Sequence, residues 1–259
     1  MEDRPTLWHI EISHYSEKVR WALDYKGMDH ERRAPMPGYH IAVALVLTRG
    51  RQYTFPVLEL DSRRIGDSTA IIAALERAHP APPLYPADDG ERRRALALED
   101  WFDRQLGPYM RRFAFHELRA DREQFAEFSA EAAPAPLAPF KGMAGLYGRA
   151  FTALRFGAGS SRASEHARVK VLAAVDKLEA ELGDREYLVG DRFGVADLTA
   201  AALFYPLVMP PEGPRQWRPP EGYARFRDPL LERRGIQWVG EMFRRHRQAL
   251  PLAVPAGAA

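Results

Sequence analysis

Two hydroxyl residues three apart, Ser13 and Ser16, lie in the stretch ISHYSEKVRWAL (residues 12–23), between an alternating apolar run and a segment of helical period. A serine at such a junction can cap the helix by accepting from an orphan backbone N–H. It can also donate its own proton to an anion held at the positive end of the helix dipole. The chain has no cysteine, which excludes disulfides, thiolate metal sites and attack by the protein's own sulfur. Two further places carry polar or backbone chemistry: Pro56 inside TFPVL, and the pair Asp67-Ser68 ahead of another helical run.

These residues need elements to hold them. Thr6 to Ile12 alternates, with Trp8, Ile10 and Ile12 on one face, which predicts a strand. Val19, Ala22 and Leu23 then follow at helical spacing, and Gly27 stands where that helix would stop. A short strand is expected near 30–34, then a helical or irregular segment. Residues 54–67 read as two strands around a tight turn at Asp61 and Ser62, followed by a helix carrying Ile71, Ile72 and Leu75. HPAPPLYPADDG (79–90) is too rich in proline to continue a helix and reads as a linker. Beyond it the pattern is helical: 91–119 as one run, 162–183, 196–208 and a last helix around 236–247, with an Ala/Pro/Gly-rich piece at 129–160 between the first two. GAGSS (157–161) follows no strand and is read as a connection, not a phosphate loop.

Composition narrows the class. At 259 residues with 46% hydrophobic content the chain can bury a sizeable core. Its apolar runs are short and broken by charge, so no membrane span and no secretion are expected. A net charge of +2 gives no reason to expect a nucleic-acid partner, and the basic runs at 91–94 and 243–247 read as solvated helix faces. The eight histidines are scattered, so no metal site is expected.

The serine pair at a strand-to-helix turn, the proline in TFPVL, Asp67-Ser68 at a helix start and the helical second half after a proline-rich linker together resemble the glutathione transferases. The resemblance covers the whole chain. It implies an α/β thioredoxin-like N-terminal domain (1–80), a linker (81–90), an all-α C-terminal domain (91–250) and a disordered tail (251–259). It also implies a cytoplasmic homodimer that uses glutathione as co-substrate, without metal, and acts on a small hydrophobic electrophile.

Carried over by position, Ser13 stands where many such transferases have a catalytic serine or cysteine. A free thiol has a pKa of about 8.5, so few molecules are thiolate at neutral pH. A hydroxyl donor beside a helix N-terminus raises that population, and the sulfur would come from the ligand. Ser16 is then a cap or a helper. Pro56 resembles the family's cis-proline, which would turn the Phe55 main chain toward the ligand. Asp67 and Ser68 would hold the γ-glutamyl end, and Arg51 is assigned to the glycyl carboxylate. The plain alternatives are helix caps at Ser13 and Asp67-Ser68 and an edge-strand proline at Pro56. His14 is read as a solvated loop residue and Tyr15 as a core aromatic. The electrophile's pocket would be lined by residues after the linker, among which Trp101, Tyr109, Phe113 and Phe115 stand out, although such aromatics more often belong to the core and none is assigned to the site. PEGPRQWRPPEGY (211–223) reads as a surface loop. In VGDRFGVADLTAAA, Gly194 replaces the family's usual capping hydroxyl, while Asp197 can still bond back to the Gly194 amide.

The reaction implied is conjugation of glutathione to an electrophile. A glutathione-dependent isomerase and a non-catalytic binding or dimerisation module are the alternatives.

Overall fold

The strand that leads into the serines is shorter than its alternation suggests. In this computed structural model, which describes residues 4–35, 39–131 and 141–247, β1 runs only from Thr6 to Trp8. His9 still donates to the Arg33 carbonyl at 2.9 Å, but the groups of Ile10 turn to the helix instead. Its N–H donates to Ser16 Oγ at 3.2 Å, and its carbonyl accepts from the Ser13 N–H at 3.1 Å. Polar groups of the helix start therefore take over the ladder's partners and end the strand.

Helix α1 (His14–Tyr25) follows and closes at Gly27, whose φ of +64° suits glycine. β2 (Glu31–Arg33) pairs parallel with β1, Thr6 opposite Glu31, while β3 (Val57–Leu60) pairs antiparallel on its other side, Leu7 opposite Leu58. Between them the segment left open by the sequence forms α2 (Tyr39–Leu47). β4 (Arg63–Gly66) completes the hairpin through Asp61 and Ser62, both at positive φ as a tight turn requires. The sheet order is β2-β1-β3-β4, and α3 (Ser68–Ala78) packs back on it. This is the thioredoxin-like half.

The rest is helical: α4 (Asp89–Gln105), α5 (Gly107–Ala120), α6 (Arg122–Glu131), α7 (Lys141–Phe156), α8 (Ser161–Leu182), α9 (Val195–Val208), α10 (Glu221–Arg227) and α11 (Arg234–His246). The expected single run over 91–119 is broken at Leu106, because Pro108 in the first turn of α5 restarts the helix. The Ala/Pro/Gly-rich piece contains all of α7, and the loop expected at 211–223 runs as irregular chain to Pro220, its last three residues forming the start of α10. The tail expected at 251–259, and the end of the helical region at 248–250, lie outside the described residues.

Helix α9 is buried on every side, as a sequence that is apolar apart from Asp197 and Thr199 dictates. Its N-terminus holds half of a capping box: Asp197 accepts from the Gly194 N–H at 2.9 Å and from the Leu188 N–H at 2.7 Å. One core joins both halves, with Leu7, Trp21 and Leu58 of the first in the same cluster as Phe102, Phe204 and Phe243 of the second.

An ionic lock fastens the same junction. Lys18 on α1 is sealed between Glu99 (2.8 Å) and Asp103 (2.7 Å) of α4, with Thr69 of α3 at 3.2 Å. Burial opposes its charge, but the attraction of Asp103 and Glu99 outweighs this and holds its pKa above the ordinary lysine value. Burial pushes the Glu99 carboxyl up against the pull of Lys18. Lys18→Met would strand two acidic groups in the interior. A loss of about 3 to 5 kcal/mol of unfolding free energy is expected by denaturant titration.

Candidate active site

Ser13 is the N-cap of α1: its Oγ accepts from the Ser16 N–H at 3.3 Å, and its carbonyl accepts from the Glu17 N–H at 2.8 Å. Accepting leaves the hydroxyl proton free to be given away, so capping and donation to an anion are compatible roles for one oxygen. Ser16 is fully buried and serves as the brace on Ile10, not as a second donor.

The loop carrying Ser13 is held from beneath by Arg20. Its guanidinium donates to the carbonyls of Ile10 (3.3 Å) and Glu11 (2.9 Å), approaches His9 Nδ1 at 2.7 Å, and is neutralised by Glu17 at 2.7 Å. Arg247, after α11, reaches the same Glu17 at 2.6 Å and Asp24 at 2.7 Å. The far end of the helical half thus stiffens the serine loop.

Ser13 opens onto a cavity of about 510 Å³ between the two halves. From the sheet half come Ile10, Tyr39, Tyr53 and Phe55, and from the helical half Phe115, Phe128, Tyr147, Phe151 and Phe156. Two cations line it, Arg111 and Arg155, and no carboxylate among the described residues does. Of the aromatics brought forward from the sequence, only Phe115 reaches the cavity; it stacks on Phe156 at 5.4 Å. Phe113 is buried against Tyr223 and Phe226, and Trp101 and Tyr109 pack against the main core. Among the cavity residues that sequence reasoning missed, α7 supplies more than any other element. A smaller cavity next door shares His14, Arg111 and Phe115 and adds Arg215 and Trp217, so the 211–223 segment faces this region after all.

His14 is not the solvated loop residue expected. It is buried, it lines both cavities, and its Nε2 has no partner. Burial, and then the charge of Arg111, push its pKa down to about 3. Tyr15 packs against the core as expected and donates to the Asp103 carbonyl at 2.6 Å. Its oxygen occupies the space beside Gly107, where an added Cβ would lie 2.1 Å away.

The remaining residues assigned from the sequence surround β3 and β4. The Phe55–Pro56 bond is cis, and the buried Phe55 ring forms part of the cavity wall, 6.4 Å from the ring of Trp8. Asp67 takes a φ of +76° and caps α3, its Oδ1 accepting from Thr69 and Ala70, both at 3.1 Å. Ser68 is buried at the first position of α3. Arg51 is exposed and donates to the Thr48 carbonyl at 3.1 Å. Its neighbour Gln52 packs on Gly66, just before Asp67. Of the assigned residues, Ser13 and Phe55 line the cavity, while Arg51, Pro56, Asp67 and Ser68 do not.

A sheet half and a helical half that meet at a serine-capped helix match known proteins. The models of the glutathione S-transferase N-terminal and C-terminal domains match residues 7–83 and 161–228, and the chain belongs to the glutathione S-transferase family. It is 30% identical to maleylacetoacetate isomerase of Rattus norvegicus over 108 residues, covering 38% of this chain and 46% of the relative. The chain spans less than half the length of the isomerases it matches. It is 27% identical to FtsZ-localized protein A of Caulobacter vibrioides over 205 residues, covering 76% of this chain and 74% of that one. Among solved structures, Rice GST1 in complex with glutathione shares the fold, with a TM-score of 0.64 at 20% identity over 96% of this chain and 92% of that one.

Two buried imidazoles make the site's stability depend on pH. His9, like His14, is pushed down to about 3, by burial and then by Arg20. An unfolded histidine titrates near 6.5, so each ring's contribution is complete above about pH 6.5 and is lost toward pH 3, at up to about 1.4 kcal/mol per pH unit. Unfolding free energy should fall as pH is lowered from about 6 to 4.5, and His14→Gln should make that slope shallower by up to about 1.4 kcal/mol per pH unit.

Proposed function

We propose that the chain binds glutathione across the start of α1 and the β3–β4 side of the sheet, and adds its thiolate to a small electrophile held in the aromatic cavity. The observation that carries this reading is the position of Ser13, which is both the N-cap of a 12-residue helix and part of the cavity wall. The Ser13 hydroxyl, already accepting from Ser16, donates to the ligand's sulfur, and the helix terminus favours negative charge there. The thiol proton leaves to solvent. The thiolate then forms the carbon–sulfur bond, and the displaced electron pair goes to a leaving group or into a conjugated carbonyl.

Phe55 contributes main-chain pairing to the cysteinyl unit, Asp67 and Ser68 receive the γ-glutamyl end, and Arg51 the glycyl carboxylate. Support for this ligand comes from the family and from the rice relative, whose structure was solved in complex with glutathione. The resemblance to maleylacetoacetate isomerases favours a closely related outcome, in which the thiolate adds and is later expelled with the substrate isomerised. The reading carries with it a cytoplasmic homodimer.

A second reading has independent support. FtsZ-localized protein A, matched along three quarters of this chain, is named for where it localises and not for a reaction. A transferase-like chain that binds without turnover fits that likeness.

Retention on immobilised glutathione, followed by turnover with a reactive aryl halide, separates the two. Ser13→Ala should lower kcat/KM by about 10- to 100-fold and shift the pH–rate profile to higher pH, as expected for loss of one donor to a developing anion. An unchanged rate and profile would remove Ser13 from the chemistry, and binding without turnover would favour the second reading.

A further inference from the structure

The cavity beside Ser13 is lined by rings and two arginines, and its charges are not balanced from within. Arg111 is partly buried, its Nε is fully buried with no hydrogen-bond partner, and no acidic side chain pairs with it among the described residues. What it touches are π faces: the Phe156 ring at 4.4 Å and the Tyr15 ring at 6.0 Å. Arg155 shares the same Phe156 ring at 5.6 Å and also lies over Tyr53 at 4.9 Å, again without a carboxylate. Two like charges thus lie beside one phenyl ring, and burial, with the charge of Arg155 adding to it, holds the Arg111 guanidinium below the usual arginine range. The nearby His14 is neutral and offers a second orphaned nitrogen, Nε2.

Elsewhere among the described residues the most deeply buried lysines and arginines are matched. Lys18 has Glu99 and Asp103, Arg20 has Glu17, and Arg247 has Glu17 and Asp24. A pair of guanidiniums left unmatched in an apolar, ring-lined space is a costly arrangement unless an anion completes it.

We propose that the acceptor cavity selects aromatic carboxylates: the flat body lies among Phe115, Phe128, Phe151 and Phe156, and the carboxylate is gripped by Arg111 with Arg155 alongside. This deepens the proposed function, because it rests on the reading of this cavity as the electrophile's site. A guanidinium fork matches a carboxylate's two oxygens. A cationic substrate would meet only repulsion from the two guanidiniums. The specificity-determining residues are therefore Arg111 and Arg155, neither of which any thiol-binding role uses.

The test needs no thiol. Titration calorimetry of the full chain with naphthalene-2-carboxylate and with its neutral amide, naphthalene-2-carboxamide, should give at least about tenfold tighter binding of the acid, the scale of a charge-assisted hydrogen bond. Arg111→Gln should abolish that preference while leaving amide affinity within about twofold, and Arg111→Lys should restore part of it. Arg155→Gln, at the second cation, should weaken the preference by itself and serves as the readout if circular dichroism shows the Arg111 variant unfolded. Equal binding of acid and amide by the unaltered chain, no binding of either, or a preference that survives replacement of both arginines would overturn the proposal. A chain that selects the acid yet is not retained on immobilised glutathione would sink the thiol reading and spare this one. Retention on glutathione without acid preference would do the reverse.

Discussion

A buried ammonium holds the two halves of this molecule in register. Lys18 lies one turn into α1, and its partners Glu99 and Asp103 lie on α4, so the helix that presents Ser13 cannot slide or rotate against the helical half without exposing three charges to an apolar interior. The Thr69 hydroxyl on α3 lies within hydrogen-bond distance of both carboxylates, 3.1 Å from Glu99 and 2.8 Å from Asp103, with one proton to give. Three helices from both sides of the junction therefore converge on one cluster. Everything else about the site depends on that fixed relation, because the cavity exists only where α5 and α7 come to face the loop before α1.

Charge is sorted on either side of α1. Beneath the serine loop, Arg20, Arg247, Glu17 and Asp24 form a matched network whose work is positional, since two of its donors hold the carbonyls of Ile10 and Glu11. Above it, in the cavity, the lining is aromatic and the fixed charge is all of one sign among the described residues. The serine sits at the boundary between a self-sufficient polar interior and a space whose polar groups await a ligand. Such a boundary suits an ionisable sulfur, because negative charge is favoured on both sides of it: by the helix terminus at one face and by the guanidiniums at the other.

How much of this could be read from the chain depended on whether the signal was local. The β1–α1 turn, the Asp61-Ser62 hairpin and α9 were legible because strand alternation, turn chemistry and a largely apolar run act over a few residues. The shortening of β1 was not, since it follows from Ser16 and Arg20 capturing the groups of Ile10, a competition that alternation does not reveal. The break at Leu106 was masked by apolar periodicity that continues past Pro108. The Ala/Pro/Gly content around α7 hid a helix whose inner face supplies Tyr147, Phe151 and Arg155 to the cavity. Phe115 was found and Phe113 misplaced for a related reason: two residues apart on α5, they point to opposite sides, and only tertiary packing tells which side is open. Arg111 resembled any of the surface arginines in sequence. Its isolation from acids is a property of three dimensions.

Tyr15 and Gly107 tie the sheet half of the molecule to the helical half at the scale of a single atom. The tyrosine follows Ser13 by two positions, and its oxygen sits where any β-carbon at position 107 would have to be. The restart of α5 and the seating of α1 are thus one steric event. A hydrogen on the α-carbon of residue 107 is a condition for the tyrosine to reach the Asp103 carbonyl. Recombination that brought this sheet together with a helical half from another family member would keep the serine in place only if the incoming chain left that small volume vacant.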